Sequence, residues 1–130
     1  MATVRRSIEI DVPPEVAWDA LRDVGAVHTR LARGFVVDCK LEGDVREVTF
    51  ANGMVVPEHI VAVDEETRRV VWTIRQPPYE HHNGAATVEA SSGGTRFVWV
   101  ADVLPDAVAA PYAAAMERGL EAIKATLEGE

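Results

Sequence analysis

Glu58 and His59 are an adjacent acid and base that could do chemistry, and they lie in a run of β-branched residues. Successive side chains of a strand point to opposite faces of the sheet, so only one of the two can face the interior. Burial would raise the carboxyl pKa of an inward Glu58 and suit it to a polar ligand contact or to proton transfer. The sequence is equally compatible with a solvated Glu58 on the outer face.

A second concentration of polar side chains, His81, His82 and Asn83, follows the loop that begins at Pro77. Because adjacent strand residues face opposite ways, His81 and His82 cannot easily bind one metal ion, and we expect no metal site. We expect one histidine, His81 in our choice, to lie with Asn83 at the mouth of a cavity, as a hydrogen-bond donor or proton acceptor. The alternative is that these side chains only hold the loop to the next strand. Asp102 is expected either to orient one of the histidines or to cap the approach to the last helix.

Several catalytic motifs are missing from the sequence. No serine or cysteine stands in a nucleophile elbow, no glycine-rich phosphate loop occurs, and no HExxH pattern is found. Cys39 is the only cysteine, so neither an internal disulfide nor a cysteine-based metal site can form. These absences argue against the common hydrolases, nucleotide-binding enzymes and zinc proteases. We expect no cofactor, and we assign no catalytic residue.

The 130 residues are 48% hydrophobic and 26% charged, which predicts a single globular domain over residues 1–130. The formal net charge is −8 and the basic residues form no separate cluster, so nucleic acid is a poor candidate partner. The first residues contain no apolar signal segment, and no apolar run is long enough to cross a bilayer. We therefore expect a cytoplasmic protein without membrane insertion. The sequence does not indicate an oligomeric state.

Periodicity and turn residues predict the elements that must position these side chains. Seven strands are expected at residues 3–11, 35–41, 45–51, 54–63, 70–76, 82–90 and 95–103. Two short helices are expected at 14–23 and 26–30, and a long amphipathic helix should begin near Ala109 or Ala110 and extend to Leu127. Pro57 predicts an edge strand or a bulge, since proline cannot donate to a ladder.

This order of elements predicts an α+β fold with helices on one face of an antiparallel sheet. The sequence also resembles the START/Bet v 1-like superfamily, specifically bacterial members of the polyketide cyclase/dehydrase and lipid-transport group. The resemblance covers the whole chain and is carried by residues 12–18, 58–64, 72–74 and 95–99, and by the terminal helix after Leu104-Pro105. It implies a helix-grip fold, in which a curved seven-stranded sheet wraps around the long C-terminal helix, with two short helices after the first strand.

We expect this fold to enclose a cavity that binds a small apolar molecule. The final helix combines Gly119 and alanines 113–115 with Tyr112 and Met116, a mixture that leaves space on its sheet side, although alanine is also simply the best helix former. Ring-bearing strand residues should supply most of the ligand contact. The predicted apolar wall is Trp72, Ile74, Phe97, Trp99, Tyr112, Met116 and Gly119, and the predicted polar anchors are Glu58, His81 and Asn83.

Two functions are compatible with such a cavity. The first is a binding or carrier module for a lipid-like, polyketide-like or other apolar metabolite. The second is a cofactor-free cyclase, dehydratase or isomerase, in which Glu58 or a histidine moves a proton on a polyketide-like substrate. The resemblance implies that an acid followed by a base points into the cavity at this strand position, but here His59 stands where arginine is usual.

Overall fold

The computed structural model describes residues 1–129, which form a seven-stranded antiparallel sheet with helices on one side. Across the sheet the strands are ordered β1-β7-β6-β5-β4-β3-β2, so β2 to β7 form a meander and β1 closes onto β7. This arrangement confirms the predicted fold class. The strands are β1 (Ala2–Ile10), β2 (Val36–Glu42), β3 (Val45–Phe50), β4 (Val55–Asp64), β5 (Arg69–Ile74), β6 (His81–Ser91) and β7 (Gly94–Leu104).

Two short helical segments follow β1, as expected. The first is α1 (Pro14–Arg22), which begins at a proline because the first helical N–H has no partner to lose. The second, Val27–Leu31, is a single π-helical turn one residue later than predicted. The apolar face of α1, including Trp18 and Leu21, is buried against the sheet.

The long C-terminal helix, α2 (Ala109–Leu127), follows a 3-10 turn at Asp106–Val108. Pro111 lies in its first turn, where a missing N–H breaks no helical hydrogen bond. The buried stripe of α2 has the expected helical spacing and faces the sheet, where α2 packs mainly on β1 and also contacts β7. This stripe consists of Tyr112, Met116, Gly119, Leu120 and Ile123.

The sheet curves in its β2 to β5 half. The β2–β3 register shifts between Val36 and Asp38, and the β4–β5 register shifts between Ile60 and Ala62. Such irregularities bend a strand and increase its twist. Of the two alternatives predicted from Pro57, the edge strand is wrong, because β4 pairs with both β3 and β5, whereas β4 does contain an irregularity, between Ile60 and Ala62. Pro57 is tolerated because the β4–β5 ladder ends at Glu58, so Pro57 pairs only with β3.

No helix within residues 1–129 is both long and apolar enough to cross a membrane. The buried side chains instead form two clusters beneath the helices. The larger joins α1, the π-helical turn and the C-terminal part of α2 to the sheet. The smaller joins Tyr112 and Met116 of α2 to Val4, Ala101 and Val103.

Candidate functional site: a cavity between sheet and helix

A cavity of about 750 Å³ lies between α2 and the curved part of the sheet. Most of its wall is apolar, because the inward positions of the strands alternate with outward polar ones. Eight of the ten residues predicted to contact a ligand line this cavity. They are Glu58, Trp72, Ile74, Phe97, Trp99, Tyr112, Met116 and Gly119.

Two glycines make room for the aromatic rings of this wall. A Cβ at Gly84 would lie 2.8 Å from Cε2 of Trp72, so only glycine lets that indole cross β6. A Cβ at Gly119 would lie 3.0 Å from Cζ3 of Trp99 and 3.1 Å from Cε2 of Phe35. The Trp72 and Trp99 rings then pack against each other at a centroid distance of 5.8 Å. The absence of a side chain at Gly84 and Gly119 thus lets these aromatic rings form part of the cavity wall.

Glu58 faces the cavity and forms a buried ion pair with Arg46. The two residues are directly opposite each other on β4 and β3, with Arg46 Nε 2.8 Å from Glu58 Oε1. Arg46 is only 5% exposed and Glu58 only 8%. The guanidinium carbon also lies 5.4 Å from the ring centroid of Trp72, within the range of a cation–π contact. His59, by contrast, points to the other face of β4, as strand alternation requires.

Burial dominates the electrostatics of this pair. Removal from water raises the pKa of the Glu58 carboxyl, and the neighbouring Arg46 opposes that rise without cancelling it. The negative charge of Glu58 in turn adds to burial in raising the pKa of Tyr79 and of Tyr112, both of which line the cavity. The polar end of the cavity therefore holds a carboxyl group that binds its proton more tightly than a solvated glutamate does.

His82, rather than His81, points inward. It is 1% exposed, its Nδ1 accepts the backbone N–H of Ile74 at 3.1 Å, and its Nε2 lies 2.9 Å from the Tyr112 hydroxyl oxygen. The β5–β6 ladder ends at Trp72 and Gly84, so this imidazole replaces the missing strand acceptor for Ile74. Burial, with a smaller contribution from His81, lowers the pKa of His82 to about 4. His82 is therefore neutral at pH 7.

His81 and Asn83 lie outside the cavity wall, contrary to our choice of them as polar anchors. Inward positions on β6 are the even-numbered ones, so both side chains point to the opposite face, where His81 is exposed. Asp102 pairs with neither histidine and instead accepts a hydrogen bond from the Thr3 hydroxyl at 2.6 Å. The sequence reasoning thus chose the correct strand, but it chose two residues of that strand that face away from the cavity.

Sequence reasoning also missed Arg46 and Tyr79, which line the polar end of the cavity, and His82, which contacts Tyr112 from behind the wall. His82 was recognisable as one of two alternatives, because one of two adjacent strand histidines must face inward. Arg46 carried a weaker signal, namely its alternation with Val48 and Phe50, which also line the cavity. Within residues 1–129 no group of three or more His, Cys, Asp or Glu side chains is arranged to hold a metal ion.

Comparison with solved structures shows the same fold in other proteins. A protein from Bacillus thuringiensis superposes with a TM-score of 0.84 at 18% identity, covering 97% of this chain and 98% of the other. Ara h 8.0201, a Bet v 1-like protein, gives 0.75 at 22% identity, with 99% of each chain covered. A protein from Thermobifida fusca gives 0.75 at 26% identity, covering 100% of this chain and 92% of the other.

Comparison of the sequence with curated proteins gave no significant match. A family model, in contrast, matches almost the full length and agrees with the START/Bet v 1-like resemblance drawn from the sequence. Since the match spans residues 1–128, the chain belongs to the polyketide cyclase/dehydrase and lipid transport family.

Proposed function

We propose that this protein binds a small, largely apolar molecule in the cavity between its sheet and α2. The observation that carries the proposal is a cavity of about 750 Å³ that the chain itself does not fill. Aromatic rings and aliphatic side chains form most of its wall. A volume in this range suits a small-molecule ligand, and pockets that bind such ligands are mostly apolar with a few polar groups. Here the polar groups include Glu58, Arg46 and Tyr112.

A cavity-filling substitution tests this proposal. Ala115 lines the cavity, whereas its neighbour Ala114 is exposed on the outer side of α2. We expect Ala115→Trp to weaken binding of the neutral fluorescent probe N-phenyl-1-naphthylamine by more than about tenfold, because the indole occupies the ligand volume. The matched control, Ala114→Trp, should bind the probe like the wild type. Equal binding by all three proteins would place the probe elsewhere and overturn the proposal.

A second candidate function is a cofactor-free cyclase, dehydratase or isomerase that acts on a polyketide-like substrate in the same cavity. The observation that favours it is the Glu58 carboxyl, which faces the cavity and has its pKa raised by burial. Such a group can take a proton from carbon next to a carbonyl and return it. An enzyme also needs an acid partner for Glu58, whereas binding needs only the apolar cavity, so binding remains the first proposal.

The two functions differ in what Glu58→Gln does. For a binding protein the change should leave the affinity for N-phenyl-1-naphthylamine within about threefold, since glutamine still accepts a hydrogen bond from Arg46. For an enzyme it should also abolish exchange of the α-protons of a bound aryl methyl ketone with D₂O, followed by NMR. Exchange that the wild type does not accelerate, or that Glu58→Gln retains, would contradict the catalytic function.

A further inference from the structure

The hydrogen bonds around Tyr112 fix the direction of its hydroxyl proton. The backbone N–H of Ile74 donates to His82 Nδ1 at 3.1 Å, so that nitrogen carries no proton. A neutral imidazole must then carry its single proton on Nε2. The contact of 2.9 Å between Nε2 and the Tyr112 oxygen is therefore a hydrogen bond that His82 donates and Tyr112 accepts.

This arrangement leaves the Tyr112 O–H without an acceptor. Within residues 1–129 the hydroxyl makes no hydrogen bond besides the one from His82. Tyr112 is 9% exposed and lines the cavity. A buried donor without a partner costs free energy, typically as much as a lost hydrogen bond, unless something in the adjoining space accepts its proton.

Trp99 supplies a second donor of the same kind beside it. The rings of Trp99 and Tyr112 pack edge to face with their centroids 6.1 Å apart. The indole N–H is close enough to the Tyr112 oxygen to favour ionisation of the tyrosine slightly, yet it completes no hydrogen bond and is buried. Burial and the charge of Glu58 outweigh that effect and raise the pKa of Tyr112, so the tyrosine keeps its proton.

We propose that Tyr112 selects among apolar ligands by donating its hydroxyl proton to an acceptor oxygen, such as a ketone carbonyl, at the polar end of the cavity. This inference rests on the proposed binding function and names the chemical class of its ligand, an apolar carbonyl compound. His82 acts as a positioning residue, because its Nε2–H occupies the acceptor side of the tyrosine oxygen and turns the hydroxyl proton away.

A pair of probes of nearly equal shape tests the donor. 2-Acetylnaphthalene carries a carbonyl where 2-isopropenylnaphthalene carries a CH₂ group, and both can be measured by displacement of N-phenyl-1-naphthylamine. We expect Tyr112→Phe to raise the Kd of the ketone by about three- to tenfold, the usual value of one hydrogen bond, and to change that of the hydrocarbon by less than about twofold. The ketone C=O stretch, measured by infrared spectroscopy, should lie at lower frequency in wild type than in Tyr112→Phe.

Thr3→Val is the control, because it also removes one hydroxyl group, but from a residue that donates to Asp102 and lies outside the cavity wall. It should change neither affinity by more than about twofold, since it leaves the Tyr112 donor in place. Equal effects of Tyr112→Phe on both probes would overturn the inference and leave the proposed function standing. If wild type binds neither probe nor N-phenyl-1-naphthylamine, the proposed function fails and the inference fails with it.

The tautomer of His82 provides a test that needs no ligand and no variant. Long-range ¹H–¹⁵N NMR spectra at pH 7 should show His82 protonated at Nε2 and unprotonated at Nδ1. Protonation at Nδ1 instead would make Tyr112 the donor to His82, leave no free hydroxyl proton for a ligand and overturn the proposal.

Discussion

β1, β7 and β6 pair without interruption, over nine positions between β1 and β7 and eleven between β6 and β7, whereas the β2 to β5 half contains both register shifts of the sheet. The regular half supports α2 directly, and the irregular half curves away from it. The buried Arg46–Glu58 pair belongs to the irregular half. The comparison indicates that the regular half of the sheet supports α2, while the irregular half provides the curvature and the buried charged pair at the polar end of the cavity.

The largest effect should come from removing one partner of the buried ion pair in the irregular half. Arg46→Met should lower the free energy of unfolding by about 3 to 5 kcal/mol at pH 7, because the Glu58 carboxylate is left buried without a partner. The loss should shrink as the pH falls, since a carboxyl whose pKa is raised in the folded protein binds its proton more tightly there than in the unfolded chain. Urea unfolding of wild type and Arg46→Met at pH 7 and pH 5 measures the loss of stability and its decrease with pH.

The regular half offers a matched control in the exposed pair Arg96–Glu9, which joins β7 to β1 with an N to O distance of 3.0 Å. Arg96→Met should cost less than about 1 kcal/mol, because water screens and replaces the lost contact. Equal losses of unfolding free energy in Arg46→Met and Arg96→Met would contradict the burial of the Arg46–Glu58 pair, and with it the difference in polarity between the two halves.

A smaller effect should appear as pH dependence at the border of the cavity. The pKa of His82 is about 4 in the folded protein against 6.5 for a free histidine, so the unfolded chain takes up the proton first as the pH falls. Stability that is present above pH 6.5 should therefore decrease toward pH 4, by about 3 kcal/mol from this group. Urea unfolding between pH 7 and pH 4 should show a flatter profile for His82→Gln than for wild type.

His81→Gln is the control for that profile. The His81 side chain is exposed on the other face of β6, so its replacement should leave most of the pH dependence in place. An equally flat profile in His81→Gln would mean that the inward and outward positions of β6 do not differ as described.

The smallest effect should come from filling the space beside α2. Gly119→Ala should change the free energy of unfolding by no more than about 1 kcal/mol, because the gain in helix propensity offsets the close contacts of the new Cβ with Trp99 and Phe35. The displaced rings should narrow the cavity and weaken binding of N-phenyl-1-naphthylamine by about two- to fivefold. An affinity equal to or above that of wild type would show that this part of the wall does not limit the ligand.

The fold was accessible from the sequence because each signal was local. Turn residues separated the strands, the stripe through Met116 and Ile123 defined α2, and Pro111 located its first turn. The apolar wall followed from strand alternation once the positions of the strands were known. These features need no knowledge of which strand lies beside which.

The polar end of the cavity was less accessible because it depends on register. A two-residue turn at Asn52-Gly53 would set Glu47 opposite Glu58, whereas the observed hairpin sets Arg46 there. A shift of one residue thus replaces a repulsive pair by an attractive one. The choice of His81 over His82 failed for a related reason. The pairing of β6 with its neighbouring strands decides which of its residues face inward, and two adjacent histidines do not reveal that pairing.

The Arg46–Glu58 pair also has a consequence for how ligand uptake responds to ionic strength. Because the two charges neutralise each other at 2.8 Å, the pair presents a dipole rather than a net charge to the cavity. A neutral ligand that enters this cavity displaces no counterions. Its affinity should therefore remain constant from low to high salt, even though the chain as a whole carries a formal charge of −8.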